Sequence, residues 1–214
     1  MRLLSVNRSR AKPITVGSRV DQTGIFKTPA DEPVRVGKLG LAGDVQVSKQ
    51  HHGGPDQAVY LYNAKDYAWF SEQLGHELTP GTFGENLTLS EFPENVYIGD
   101  RFEIGAVLLE VTAPRIPCAT LAARVGKPDF VKTFKQAERP GVYARVLREG
   151  SLKVGDEGVY LRGQSNVSTS EMFQLHYTKP SREQVERVLA APIAERAREA
   201  YKKELATRQN HSTA

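Results

Sequence analysis

Sulfur is scarce in this chain. Cys118 is the only cysteine among 214 residues, accompanied by two methionines. A lone cysteine rules out an internal disulfide and a cysteine-built zinc or iron–sulfur cage, and it argues against a secreted, disulfide-stapled scaffold. Long apolar runs are also lacking. No stretch approaches the roughly 18 consecutive apolar residues of a membrane span. The opening MRLLSVNRSR has too short an apolar run for a signal peptide, so a cytoplasmic protein with no membrane partner is expected. Runs of like charge are missing as well: Lys and Arg are spread along the chain, and a net charge of +4 with a pI near 9.1 is only mildly basic. No nucleic-acid partner is expected from that balance, although it leaves room for a local basic pocket that takes a phosphorylated ligand.

What is present is enough for a hydrophobic core: 39% of residues are hydrophobic and 25% charged. VRVGKL (34–39), QAVYLY (57–62), NLTL (86–89), VYIGDRFEIG (96–105) and AVLLEVTA (106–113) carry the β-branched and aromatic content of strands. NAKDYAWFSEQLG (63–75) reads as a helix capped by Asn63 and ended by Gly75, with Tyr67, Phe70 and Leu74 facing the core. IGD at 98–100 and VGD at 154–156 suggest two similar β corners. CATLAARVG and PDFVKTFKQAER read as short helices, the second with Pro128 at its first position. GVYARVLREGSLKVGDEGVYL (141–161) reads as a hairpin turning at Glu149-Gly150. Many short strands, glycine corners and few helices predict a mainly β fold, a β-barrel with helical insertions over residues 1–163. Closing a sheet removes its exposed edges. After the linker RGQSNVS, the capping signatures STSE (168–171) and SREQ (181–184), and then Pro192, announce three short helices in a C-terminal extension, 164–214. These are too few to form a core alone and should pack on the barrel or on a partner.

Five segments place reactive side chains at stiff or glycine-rich corners. In APRIPCATLAAR (113–124), Cys118 follows Pro117 where a strand gives way to a helix, with Arg115 just upstream. A thiolate is the nucleophile and the soft metal ligand, and a nearby cation or helix start favours it. Three readings of Cys118 stay open: a buried filler, a nucleophile with His52 as its base, or a metal-bound thiolate. In HHGGPDQAVY (51–60), Gly53 and Gly54 free the backbone to approach a ligand, and His52 with Asp56 could bind a metal or orient a phosphate; a hydrogen-bonded turn is as good a reading. FGENL (83–87) sets the Glu85 carboxylate beside the Asn86 amide, which allows acid–base work or a satisfied loop. GIFKTP (24–29) joins Lys27 to Thr28, a charge and a hydroxyl fit to clamp a phosphate, and LGLAGD (39–44) presents Asp44 in a turn.

In this order, LGLAGD, HHGGPDQAVY, FGENL, VYIGD and PRIPC resemble the MOSC family, the molybdenum cofactor sulfurase C-terminal domain. The HGGPD and FGENL pieces and the three-helix tail look like its YiiM-like branch of N-hydroxylaminopurine-resistance proteins. The resemblance covers nearly the whole chain. It implies a mostly antiparallel β-barrel and molybdenum cofactor (molybdenum held by molybdopterin), with Cys118 as the ligand to molybdenum. It implies that Lys27 and Thr28, with Asp44, His52, Gly53, Gly54, Phe83, Gly84 and Arg115, hold the cofactor, and that His52, Asp56, Glu85 and Asn86 join Cys118 in the chemistry. Amidoxime-reducing relatives place an arginine after the aspartate of the LGLAGD-like motif. Here that position is Val45, so the phosphate contact must come from elsewhere, with Arg115 and His52 the candidates.

The activity so implied is reduction of an N-hydroxylated purine or amine, such as 6-N-hydroxylaminopurine, to the amine, which detoxifies base analogues. No flavin fingerprint is present, so an external electron donor is implied, a flavoprotein or a ferredoxin-type reductase; a homodimer is allowed. The alternative is a non-catalytic molybdenum cofactor carrier. A metal-free cysteine hydrolase built on Cys118 and His52, and a nucleic-acid module built on the tail, are the remaining rivals.

Overall fold

The computed structural model describes residues 1–47 and 53–212, with side chains through residue 207. Its strands are β1 (Leu3–Arg8), β2 (Lys12–Val16), β3 (Arg19–Thr23), β4 (Thr28–Pro29), β5 (Val34–Gly37), β6 (Gly40–Leu41), β7 (Val59–Asn63), β8 (Leu87–Leu89), β9 (Arg101–Ile104), β10 (Val107–Pro114), β11 (Val142–Arg148), β12 (Gly150–Leu152) and β13 (Gly158–Leu161). The helices are α1 (Ala64–Leu74), α2 (Ala119–Val125), α3 (Phe130–Ala137), α4 (Thr169–Leu175), α5 (Arg182–Ala190) and α6 (Glu195–Ser212).

Eight strands form the main sheet in the order β13-β9-β10-β11-β7-β8-β1-β4, while β12-β5-β6 and β2-β3 form smaller sheets. The main sheet is mixed, because β7 and β8 run parallel with α1 as part of the connection between them. At the far ends, Leu3 N–H donates to Asp156 O and Gly158 N–H to Met1 O, and a single bridge joins Arg2 to Glu157. These bonds draw β1 toward the segment before β13 without a continuous ladder. The fold is sheet-rich with helices, and no closed barrel is found among the described residues. The expected hairpin at Glu149-Gly150 is also replaced. β10 pairs with β11 from Val142 to Arg148 on one edge, and β7 takes Val142–Ala144 on the other. Instead β12 crosses to β5, and β13 goes to β9.

The two Gly-Asp corners do share one construction. Gly99 and Gly155 both take positive φ, 87° and 93°. In each, the aspartate carboxylate accepts the backbone N–H three residues back, Tyr97 for Asp100 (2.7 Å) and Lys153 for Asp156 (3.0 Å).

Helix α1 starts where the Asn63 side chain accepts the Lys65 N–H and stops at Gly75 in the left-handed region. Tyr67 and Phe70 face inward as their spacing requires, with Leu74 partly buried beside them. Phe70 packs on Phe134 of α3 at 5.5 Å, and Phe83 and Phe130 complete a buried aromatic layer. Pro128 stands before the capping position Asp129, outside α3 rather than at its first turn.

The tail is fastened at both ends. Ser168 caps α4, and Ser181 with Gln184 forms a complete capping box on α5. Arg198 of α6 donates to the Leu189 and Ala191 carbonyls at the end of α5. Met172, Leu175, Val188 and Ile193 are buried in the same apolar cluster as the strand residues, so the extension shares its core with the sheet.

Candidate functional site

The first half of the site is a buried polar network. Lys27 Nζ lies 2.5 Å from both carboxylate oxygens of Asp44. Asp44 also accepts the Ser9 N–H (2.8 Å) and the Asn86 side-chain amide (2.9 Å). The Asn86 carbonyl oxygen in turn accepts the Tyr60 N–H. Asp44 is held at the LGLAGD turn by Gly43 in the left-handed region. Burial pushes the Lys27 ammonium below its ordinary pKa, and Asp44 works against that. Val45, the residue after Asp44, faces the cavity described next.

The second half comes from the turn after β10. Pro114 ends the strand, and Pro117 keeps the chain extended into Cys118, which starts α2 with φ −133° and ψ 169°. Cys118 is partly buried and packs beside the core without being sealed into it. Arg115 is 5% exposed. Its guanidinium lies over the Tyr60 ring at 5.1 Å and donates to the Tyr143 hydroxyl at 2.7 Å. Burial works against its charge, while the Tyr143 and Tyr60 phenols and the Cys118 thiol work for it; the net direction is upward. Among the described residues Arg115 has no carboxylate partner, and its Nε is buried without an acceptor.

These halves open onto one cavity of about 1130 Å³. Lys27, Gly84, Asn86, Tyr60, Arg115, Cys118 and Tyr143 line one side. Met172, Leu175 and His176 of the α4 region and Ala197, Ala200 and Tyr201 of α6 line the other. The tail is therefore a wall of the cavity.

The site residues inferred from sequence divide clearly. Lys27, Gly53, Gly84, Asn86, Arg115 and Cys118 line the cavity, and Asp44 stands directly behind Lys27. Thr28 is exposed on β4 and is not among the cavity-lining residues, whereas Lys27, just before that strand, is buried and lines the cavity. Phe83 belongs to the aromatic core. Glu85 is fully buried away from the cavity, with Oε1 accepting from Tyr67, Gly81 N–H and Thr88. Asp56 turns to the tail: Oδ2 accepts the Glu195 N–H at 2.9 Å and Oδ1 pairs with Arg145 at 3.0 Å. Gly54 precedes the short 3-10 turn Pro55–Gln57 and is exposed. His52 lies outside the described residues. Tyr143 and the α4 and α6 side chains are additions that no local motif announced, and Tyr60, the last residue of HHGGPDQAVY, is not singled out within its motif. Tyr143 reads as an ordinary strand aromatic, and the helical periodicity of the tail does not say which surface it covers.

Comparison with known proteins gives four findings. The family model described as the MOSC domain matches residues 48–159. The uncharacterized protein YflK of Bacillus subtilis is 35% identical over 177 residues, 82% of this chain and 80% of that protein. A Gibberella moniliformis protein named Reductase is 37% identical over 159 residues, 72% of this chain but 28% of that much longer protein. Among solved structures, YiiM from Geobacillus stearothermophilus superposes with a TM-score of 0.77 at 30% identity, over 95% of this chain and 98% of that one.

Proposed function

Since this chain belongs to the MOSC domain family, we propose that it is a molybdenum-cofactor-dependent reductase that takes oxygen from N-hydroxylated compounds of the hydroxylaminopurine class. The observation that carries this reading is Arg115, a buried cation on the cavity wall without a carboxylate partner among the described residues, next to the only cysteine. A buried charge is stable only when paired, so this wall calls for an anionic ligand. The residues fit the phosphorylated pterin of a molybdenum cofactor. Arg115 and Lys27 would face its phosphate, and the Cys118 thiolate would be the soft ligand to molybdenum. Among the described residues no three His, Cys, Asp or Glu side chains converge on a metal, so such a metal would bring its remaining ligands with it.

When bound, the cofactor supplies two-electron redox chemistry at the metal. The chain does the rest. Asp44 and Asn86 fix Lys27 so that its position does not depend on a ligand. The two prolines set Cys118 at the cavity rim. At about 1130 Å³ the cavity exceeds the roughly 300–1,000 Å³ common for small-molecule sites, which leaves room for a substrate beside a cofactor. The apolar residues of α4 and α6 then suit the flat face of a purine. Electrons must arrive from a separate flavoprotein or ferredoxin-type donor.

The test is turnover. Protein from a host that makes the cofactor, given hydroxylaminopurine and a chemical reductant, should form the aminopurine, and cofactor-free protein should not. Cofactor binding with no turnover under any donor would leave a carrier in place of the reductase.

A further inference from the structure

Four tyrosines form one ring cluster, Tyr143–Tyr60–Tyr62–Tyr67, of which Tyr60 and Tyr143 line the cavity, and three spend their phenolic hydrogens inside the protein. Tyr60 donates to the Pro140 carbonyl (2.7 Å), Tyr62 to the Arg139 carbonyl (2.8 Å) and Tyr67 to Glu85 Oε1 (2.6 Å). Tyr143 differs. Its ring is 7% exposed, lies tilted on Tyr60 at 5.0 Å, and lines the cavity together with Cys118. Its hydroxyl is bonded at 2.7 Å to Arg115 Nη1. A guanidinium has donors only, so the Tyr143 oxygen is the acceptor in that bond and its hydrogen remains to be given elsewhere. Among the described residues nothing accepts it. A buried hydroxyl with an unspent hydrogen at a cavity wall is a ligand contact waiting for an acceptor.

We propose that Tyr143 donates this hydrogen to the oxygen of the substrate's N–OH group and passes it on as the N–O bond breaks. The proposal rests on the reductase reading above. In the balanced reaction, the N–OH compound takes two electrons and two protons and yields the amine and water. The N–O bond breaks, the leaving oxygen takes the phenolic proton to complete water, and the nitrogen takes its proton from solvent. The electrons come from the external flavoprotein-class donor. The phenolate left on Tyr143 is held by Arg115 Nη1, which then carries a charge-assisted bond, until solvent returns the proton. Burial keeps the phenol protonated, its pKa being pushed above the ordinary value while Arg115 pulls the other way. The hydrogen is therefore in place through the neutral range.

Tyr143→Phe keeps the ring and removes only the hydroxyl. In the oxidised, cofactor-loaded protein without reductant, calorimetry should show the wild type binding an N-hydroxylated purine about 10-fold tighter than the matching aminopurine, the worth of one good hydrogen bond. The Phe variant should lose that preference. Its kcat should fall about 10²-fold, the ordinary share of a proton donor, with KM within a few-fold, molybdenum and pterin content unchanged, and the urea midpoint preserved. Equal kcat and an equal binding preference in the Phe variant would overturn the proposal. So would loss of cofactor along with activity, which would make Tyr143 a support for Arg115. A wild type that holds cofactor and turns over nothing would instead defeat the reductase reading itself.

Discussion

Removing the Asp56 carboxylate should unfasten the tail and leave the chemistry intact. The family resemblance groups Asp56 with the catalytic residues, but its two oxygens are spent on the fold: one accepts the Glu195 N–H at the start of α6, the other pairs with Arg145. Loss of an N-cap acceptor costs about 1 kcal/mol. The ion pair is partly exposed, 25% and 29% for its two side chains, so after solvent screening it is worth about 0.5 kcal/mol. Asp56→Ala should therefore cost about 1.5 kcal/mol, which in a domain of this size lowers Tm by roughly 3–6 °C. Asp56→Asn keeps an oxygen for the Glu195 N–H and should recover about two-thirds of that loss, since only the screened pair is gone. Because α6 walls the cavity, KM should rise in the Ala variant more than kcat falls. Urea titration and thermal melts of the two variants, with steady-state kinetics, measure all of this. An Ala variant with an unchanged midpoint and no turnover would refute the reasoning and return Asp56 to the chemistry.

Two further substitutions separate structure from function within FGENL. Glu85 is buried with its pKa raised, chiefly by desolvation and against the bonds from Tyr67, Gly81 and Thr88. A carboxyl whose folded pKa lies above its ordinary 4.5 gives stability that is complete below 4.5 and is lost as pH rises through the folded value. Glu85→Gln, neutral throughout, should therefore gain on the wild type in urea midpoint as pH rises from 5 toward 9, and a pH-independent difference would contradict the assignment. Phe83→Ala should cost about 4 kcal/mol by opening the aromatic core, yet the folded variant should keep its molybdenum and pterin; selective loss of cofactor would place Phe83 in the binding wall after all.

Much of the fold could be read in the sequence wherever local chemistry dictates structure. Asn63 and Gly75 bound α1, Ser181 and Gln184 box α5, and the IGD and VGD corners share their hydrogen bonds because glycine and aspartate at fixed offsets leave few alternatives. What the sequence did not disclose is long-range. The turn at Glu149-Gly150 looks like a hairpin, yet the chain after it pairs with β5 and β9, strands far away in sequence. The same division holds in the site. Lys27, Asn86, Arg115 and Cys118 stand in motifs and meet at one cavity. Asp56 and Phe83 stand in the same motifs, yet their side chains point into the fold; only the three-dimensional path of the tail and the aromatic core explains why. Tyr143 and the α6 wall come from segments with no motif of their own, joined to the cavity by strand pairing and helix docking.

The central claim is that an anionic pterin cofactor satisfies the charge of Arg115, which has no carboxylate partner among the described residues, and takes the Cys118 sulfur as a metal ligand. The most direct measurement is the molybdenum and pterin content of purified protein from a host that synthesises the cofactor, for the wild type and for folded Arg115→Gln and Cys118→Ser variants. The account predicts stoichiometric metal and pterin in the wild type, loss of both in Arg115→Gln, and loss of metal-dependent turnover in Cys118→Ser. An Arg115→Gln variant that retains as much pterin as the wild type, or a Cys118→Ser variant with full activity, would contradict it.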